Sequence, residues 1–326
     1  MHIVDTQTTA RHLGAAPLID ALRAMFVAGC EVPLRHTHRI DVAGAGAAPG
    51  SGRASAGGTV LLMPAWRAGA RLGVKTVTIF PGNGALGLPG LHSIYLLFDA
   101  ATGVPLSLLD GNEITSRRTA AASALAASHL ARTDARRLLV VGSGRVAALV
   151  PEAMRAVRPI DEVRVWNHRP EPALALAARL REAGFAAAAT PDLEAAVRRA
   201  DIVSCATLAS APLVRGAWLQ PGTHLDLIGS FTPQMREADA ACFAASRVYV
   251  DTPEALAKSG DVLGAIAEGA FDAAQTQGTL EALCRGASAG RAGDAERTLF
   301  KSVGSALEDL AAAELVWNAL QAESLS

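Results

Sequence analysis

The sequence predicts an α/β protein of two parts: a Rossmann-type doubly wound parallel sheet, and a discontinuous α+β domain assembled from both ends of the chain. Three observations predict it. The apolar run Leu138-Leu139-Val140-Val141 feeds straight into Gly142-Ser143-Gly144-Arg145-Val146-Ala147, a G-x-G-x-x-A turn between strand and helix. Beyond that turn, strand-like and helix-like segments alternate, the order that builds a parallel sheet. Ahead of it lie nearly 140 residues in which short strands follow one another closely. A second unit is therefore begun before the nucleotide fold.

Residues 16–30 carry Ala16, Leu18, Ile19, Leu22, Met25 and Phe26 at helical spacing and read as an amphipathic helix. Residues 43–58, rich in Gly, Ala and Ser, read as a flexible loop between two strands. Strands are expected at 59–63, 73–80, 93–99 and 105–110, and the turn Asp99-Ala100-Ala101-Thr102-Gly103 makes the last two a hairpin. Thr115 or Ser116 is the expected cap of an alanine-rich helix at 117–131. Strands at 138–142, 162–166, 201–206, 223–228 and 247–250 then alternate with helices at 145–157, 171–183 and 192–199. The pattern at 299–320 is helical and too apolar to stand alone, so it returns to the first domain. The expected domains are 1–116 with 300–326, and 117–299.

Composition narrows the function. The 326 residues suffice for two domains, and 50% hydrophobic with 19% charged residues is globular composition. A net charge of -1 gives no electrostatic case for nucleic acid or an anionic membrane surface. No apolar run reaches the ~18 residues needed to span a bilayer, and the N-terminus lacks the features of a signal peptide. Cys30, Cys205, Cys242 and Cys284 show no C-x-x-C spacing, which reads as reduced thiols in a cytoplasmic protein with no metal site.

In the nucleotide turn, Gly142 permits the tight exit from the strand and Gly144 lets backbone approach a pyrophosphate. Ala147 allows the helix to pack close to the strand. Ser143, Arg145 and Val146 complete the phosphate loop. The second strand ends in Asn167-His168-Arg169, where an NAD-selective site would place a carboxylate for the ribose 2′-hydroxyl. A neutral position beside Arg169 suits a 2′-phosphate instead, so NADPH is the expected coenzyme, with NADH the alternative. Thr207 and Ser302 are secondary candidates on the nucleotide side.

Three basic residues stand out before that turn. Arg35 follows Val32-Pro33-Leu34. Lys75, one of only three lysines, interrupts an apolar strand where a charge is costly unless paired. Arg118 falls in the first turn of the expected helix, against the helix dipole. Together they suit a carboxylate clamp.

These residues resemble the ornithine cyclodeaminase/μ-crystallin family. The resemblance runs through Met63-Pro64, Gly73-Val74-Lys75, Pro81-Gly82-Asn83, Gly87-Leu88-Pro89, Asp110-Gly111 and Arg118-Thr119-Ala120-Ala121. It continues through Ala200-Asp201-Ile202-Val203, Pro221-Gly222-Thr223-His224, Arg236-Glu237, Asp251, Ser259-Gly260-Asp261 and Leu299-Phe300-Lys301-Ser302. It implies a homodimer, and it implies Arg35, Lys75 and Arg118 as substrate-carboxylate residues. One departure matters. Cyclodeaminases of the family carry an aspartate two residues after the glycine of an Ile-Gly pair, whereas Ile228-Gly229-Ser230-Phe231 places Phe231 there. That version is similar to the branch reducing cyclic ketimines, Δ1-pyrroline-2-carboxylate and Δ1-piperideine-2-carboxylate, to L-proline and L-pipecolate. On this reading the partner is a small cyclic imino acid and Phe231 walls its ring. Lys75 is the candidate proton donor, its pKa lowered by neighbouring arginines. Cyclodeaminase, alanine dehydrogenase and a non-catalytic crystallin-like ligand binder are the alternatives. His92, after Gly87-Leu88-Pro89-Gly90, is a further residue with access to a cleft.

Overall fold

The computed structural model describes residues 1–41 and 57–325. The chain opens with strand β1 (His2–Ile3), helices α1 (Thr6–His12) and α2 (Ala15–Ala28), and strand β2 (His36–Ile40). Four longer strands follow: β3 (Gly58–Arg67), β4 (Arg71–Ile79), β5 (Leu91–Asp99) and β6 (Pro105–Asp110). Helix α3 (Gly111–Leu130) leads to β7 (Arg137–Val141), α4 (Arg145–Arg155), β8 (Glu162–Trp166), α5 (Pro170–Glu182) and β9 (Ala186–Ala189). Next come α6 (Leu193–Arg199), β10 (Ile202–Cys205), β11 (His224–Leu227), α7 (Ala240–Ala244) and β12 (Arg247–Val250). The remaining elements are α8 (Glu254–Lys258), α9 (Gly260–Ala267), β13 (Gly278–Thr279), α10 (Leu280–Cys284), β14 (Thr298–Lys301) and α11 (Ala306–Leu325). The expected loop at 43–58 lies outside the described residues as far as 56; Gly58 itself opens β3.

The chain divides into two compact units. The first comprises Met1–Gly14, Ala28–Thr115 and Ala306–Ser326; the second comprises Ala15–Val27 and Ser116–Ser305. In the first, a six-stranded sheet runs β1-β6-β5-β4-β3-β2, antiparallel except where β1 joins β6 in parallel. Side chains alternate between its faces. One face carries Met63, Ala65, Lys75, Val77, Tyr95, Leu97 and Leu109, all buried. Helix α11 packs on β3 and β4. The other face carries Leu62, Pro64, Trp66, Val74, Ile94, Leu96 and Leu108, half-buried or exposed, with Ile94 at 46%.

The second unit is an eight-stranded sheet in the order β13-β12-β14-β11-β10-β7-β8-β9, every pairing parallel. Its central strands are buried on both sides, as a sheet covered on both faces requires. The chain runs outward from β7 through β8 and β9, then returns to lay β10 on β7's other flank. That reversal opens a crevice beyond the strands' carboxyl ends.

Three expectations need correcting. Helix α2 belongs with the second unit, where Arg23 bonds Ser128 and His129 and Arg285 donates to the carbonyl of Phe26. The expected boundary at 299/300 would cut β14, which is a buried strand of the nucleotide sheet; the division falls after Ser305. Helix α3 starts at Gly111, because the Asp110 carboxylate accepts from the backbone N–H groups of Asn112 and Glu113 and caps it. Arg118 is therefore two turns inside the helix and outside its first turn. All four cysteines are free; Cys205 and Cys242 are buried, and Cys30 and Cys284 partly so. Among the described residues no helix is long and apolar enough to cross a membrane, and no His, Cys, Asp and Glu group could hold a metal ion.

Candidate functional site

The nucleotide cradle is built by β7 and α4. Val141 ends the strand, and the Gly142 N–H donates to the carbonyl of Trp166, tying the turn to the neighbouring strand end. Gly142 holds φ at 114°, and a Cβ there would stand 2.6 Å from the carbonyl oxygen of Ala206, so only glycine fits. Gly144 is the N-cap of α4, and a Cβ there would meet nothing within 4 Å. The space before the helix N-terminus is thus open, a cradle suited to a pyrophosphate. Ser143 and Val146 are half-buried and Arg145 is exposed. Ala147 is fully buried against the sheet.

At the end of β8, Asn167 Nδ2 donates to the carbonyl of Arg169, which is the N-cap of α5. His168 and Arg169 are exposed, and no carboxylate occurs among these three positions. The residues present fit a nicotinamide dinucleotide.

The far wall of the crevice is braced by buried carboxylates. Glu237 Oε1 accepts from the backbone N–H (2.7 Å) and the hydroxyl (2.8 Å) of Thr207, and Oε2 accepts from the Gly229 N–H at 2.6 Å. The loops after β10 and β11 are thereby held together. Burial pushes the Glu237 carboxyl up to about 7. Asp261 accepts in turn from the N–H groups of Glu237 and Ala238, and Lys301 Nζ lies 3.6 Å from its Oδ2. The Thr207 side chain is thus engaged in holding this wall. Phe231, past the end of β11, is 45% exposed. Ser302 is buried, with its N–H donated to the carbonyl of Leu227.

Arg118 is buried in α3 and lies against the turn after β14. A Cβ on Gly304, whose φ is 81°, would stand 2.6 Å from Arg118 Nη1. Asp251 fixes that turn by accepting from the N–H groups of Val303 (2.7 Å) and Gly304 (2.6 Å). Asp251 and Glu237, legible in the sequence only through the family pattern, thus anchor loops.

In the first unit, Lys75 is 2% exposed. Its Nζ lies 2.6 Å from Asp309 Oδ2 on α11 and donates to Thr115 Oγ1 at 3.3 Å. A carboxylate against Nζ favours the ammonium, which opposes the expected lowering by arginines. Arg35, half-buried, immediately precedes β2, whose first residue His36 pairs with Leu62 on β3. His92 pairs with Thr78 on the opposite face from Lys75 and is exposed, so strand alternation removes it from that side. Asp309 has no local sequence signal, since nothing near position 309 points to a strand so distant in the chain.

Residues 50–324 match the ornithine cyclodeaminase/mu-crystallin family. An uncharacterised protein of Schizosaccharomyces pombe is 47% identical over 95% of both chains. A Δ1-pyrroline-2-carboxylate reductase of Paracoccus denitrificans is 44% identical over 79% of this chain and 83% of its own. Among solved structures, Δ1-pyrroline-2-carboxylate reductase from Thermococcus litoralis, in complex with NADH and L-proline, matches with a TM-score of 0.88 at 31% identity, over 99% of this chain and 98% of that one. The chain belongs to the ornithine cyclodeaminase/mu-crystallin family.

Proposed function

We propose that the protein reduces cyclic ketimine carboxylates: Δ1-pyrroline-2-carboxylate to L-proline and Δ1-piperideine-2-carboxylate to L-pipecolate. The observation that carries the reading is Phe231 in the loop after β11, where cyclodeaminases of the family carry an aspartate. An aromatic ring can neither take a proton from an amino group nor accept its hydrogen bonds. An exposed apolar side chain there suits a flat imine ring.

Arg35, Lys75 and Arg118 are the proposed substrate-carboxylate residues. Lys75 enters as an ammonium, because Asp309 favours that form, and it supplies charge to the carboxylate. A carboxylate so held fixes the ring and its C=N carbon in one orientation. When bound, the nicotinamide coenzyme supplies the hydride that reduces this carbon. An imine that arrives protonated is the better acceptor and needs no dedicated acid.

NADPH is the proposed coenzyme, supported by Asn167, His168 and Arg169 and the lack of a carboxylate among them. The protein is further proposed to act as a cytoplasmic homodimer, with the apolar outer face of the first unit's sheet as the shared surface. The decisive experiment supplies Δ1-pyrroline-2-carboxylate, formed in place from D-proline by an oxidase, and follows NADPH and NADH consumption separately. L-Proline formed without added ammonia supports the reading. Reduction only of pyruvate with ammonia would make the protein an alanine dehydrogenase, and coenzyme binding with no turnover would make it a ligand binder.

A further inference from the structure

A lysine ammonium sealed inside a sheet costs several kcal/mol unless another charge answers it. For Lys75 the answer comes from the C-terminal helix. Asp309, itself fully buried, places Oδ2 2.6 Å from Nζ. Thr115 adds an oriented acceptor, because its hydroxyl donates to the carbonyl of Gly111 and so turns a lone pair toward Nζ. Tyr95 stands across the β4–β5 ladder from Lys75, and its ring fills the space that Gly73 leaves. Burial, then the Asp309 and Glu314 charges, push the Tyr95 hydroxyl well above its ordinary range, so a neutral phenol lies near this pair. The other titratable or charged groups on β3, β4, β5, α3 and α11 include Arg67, Arg71, His92, Asp99, Glu113, Arg117, Arg118, Glu308 and Glu314, and Cys30 adds to the charges that raise Tyr95. Arg67 engages Glu314 at 2.6 Å.

Buried ion pairs are poor stabilisers, often matched by apolar residues of the same volume. We propose that Asp309 is a positioning residue for the reduction: its carboxylate keeps Lys75 charged and fixes where Nζ stands for the substrate carboxylate. The proposal rests on the reading of the protein as an imino-acid reductase that binds its substrate through Lys75.

Two measurements test it on the full chain. Asp309→Asn should lower kcat/KM about tenfold or more, chiefly through KM, and move the basic limb of its pH profile about one unit or more toward lower pH. Asp309→Glu, which keeps the charge, should return the limb toward its wild-type position, and coenzyme binding should stay unchanged in both. An unmoved limb in Asp309→Asn overturns the proposal. Because that variant leaves a buried ammonium unanswered and is liable to unfold, the second measurement uses the unaltered protein. With only three lysines in the chain, 15N-labelled lysine gives separate Nζ signals, and Lys75→Arg identifies the relevant one. A Lys75 titrating above the value of an exposed lysine supports the proposal, and one titrating below it overturns the proposal. If the wild-type protein reduces no imine, the functional reading fails, while the lysine titration still decides what Asp309 does to Lys75.

Discussion

Arg118 and Gly304 form a contact that neither residue can lose cheaply. The guanidinium occupies the volume of the missing Cβ, and the backbone at Gly304 is left-handed. Arg118→Ala should raise KM for the imine about 10- to 150-fold, the equivalent of one charged hydrogen bond, with coenzyme affinity unchanged in a binding titration. An unchanged KM would remove Arg118 from the substrate residues. Gly73 has a comparable constraint: an added Cβ would stand 1.9 Å from the Tyr95 hydroxyl. Gly73→Ala should cost about 1–3 kcal/mol in denaturant unfolding through overpacking. Glu237 yields a pH prediction. Its folded pKa, about 7, lies above the ordinary 4.5 because burial disfavours the anion. The stability it contributes is therefore fully present below about 4.5 and lost as pH rises through about 7. Buried His224, pulled down to about 3 by burial and by Arg291 and Arg158, works in the opposite direction across part of this window. The difference between wild type and Glu237→Gln isolates the glutamate. Wild-type stability relative to the variant should fall by up to about 3 kcal/mol from pH 4.5 to pH 8, measured by urea unfolding at each pH. Lys75 was legible as a residue because a charge inside an apolar strand demands an explanation. Its partner was not, because a pairing between a strand and a helix so far along the chain leaves no periodic trace.

Among elements, the parallel half was readable because its short strands, each holding at least two apolar residues, are separated by helix-period segments. The strands at β7, β8, β10, β11 and β12 fall where the sequence puts them, within a residue or two. Strand β14 escaped for a physical reason. Thr298–Lys301 is only four residues long and buried on both faces, and it runs into an apolar helix, so the two merge into one helical pattern. The start of α3 was misplaced because two capping signals compete, and Asp110, closing the preceding strand, takes the first turn. Edge strands β1 and β2 carry too few apolar residues to announce themselves. The end of β8 holds a coenzyme prediction: Arg169→Ala should lower kcat/KM with NADPH at least tenfold and leave NADH nearly unaffected. Equal losses with both coenzymes would count against a 2′-phosphate contact there.

At the scale of the molecule, the first unit's sheet bears Pro64, Val74, Leu96 and Leu108 in one row on its outer face. Contiguous apolar surface of this kind usually marks an interface. Substituting both Ile94→Asp and Leu96→Asp should turn a homodimer into a monomer, read by light scattering, while the nucleotide sheet still binds coenzyme. A dimer that survives both changes would move the interface elsewhere. The first unit also has a history written into its connectivity. Its last segment, Ala306–Ser326, leaves the ribosome after every residue of the second unit. Until then β4 carries a lysine whose counter-charge has not yet been translated, so that strand has reason to stay wet. Synthesis therefore orders assembly, with the nucleotide sheet free to close first and the buried lysine desolvated only as the final helix docks.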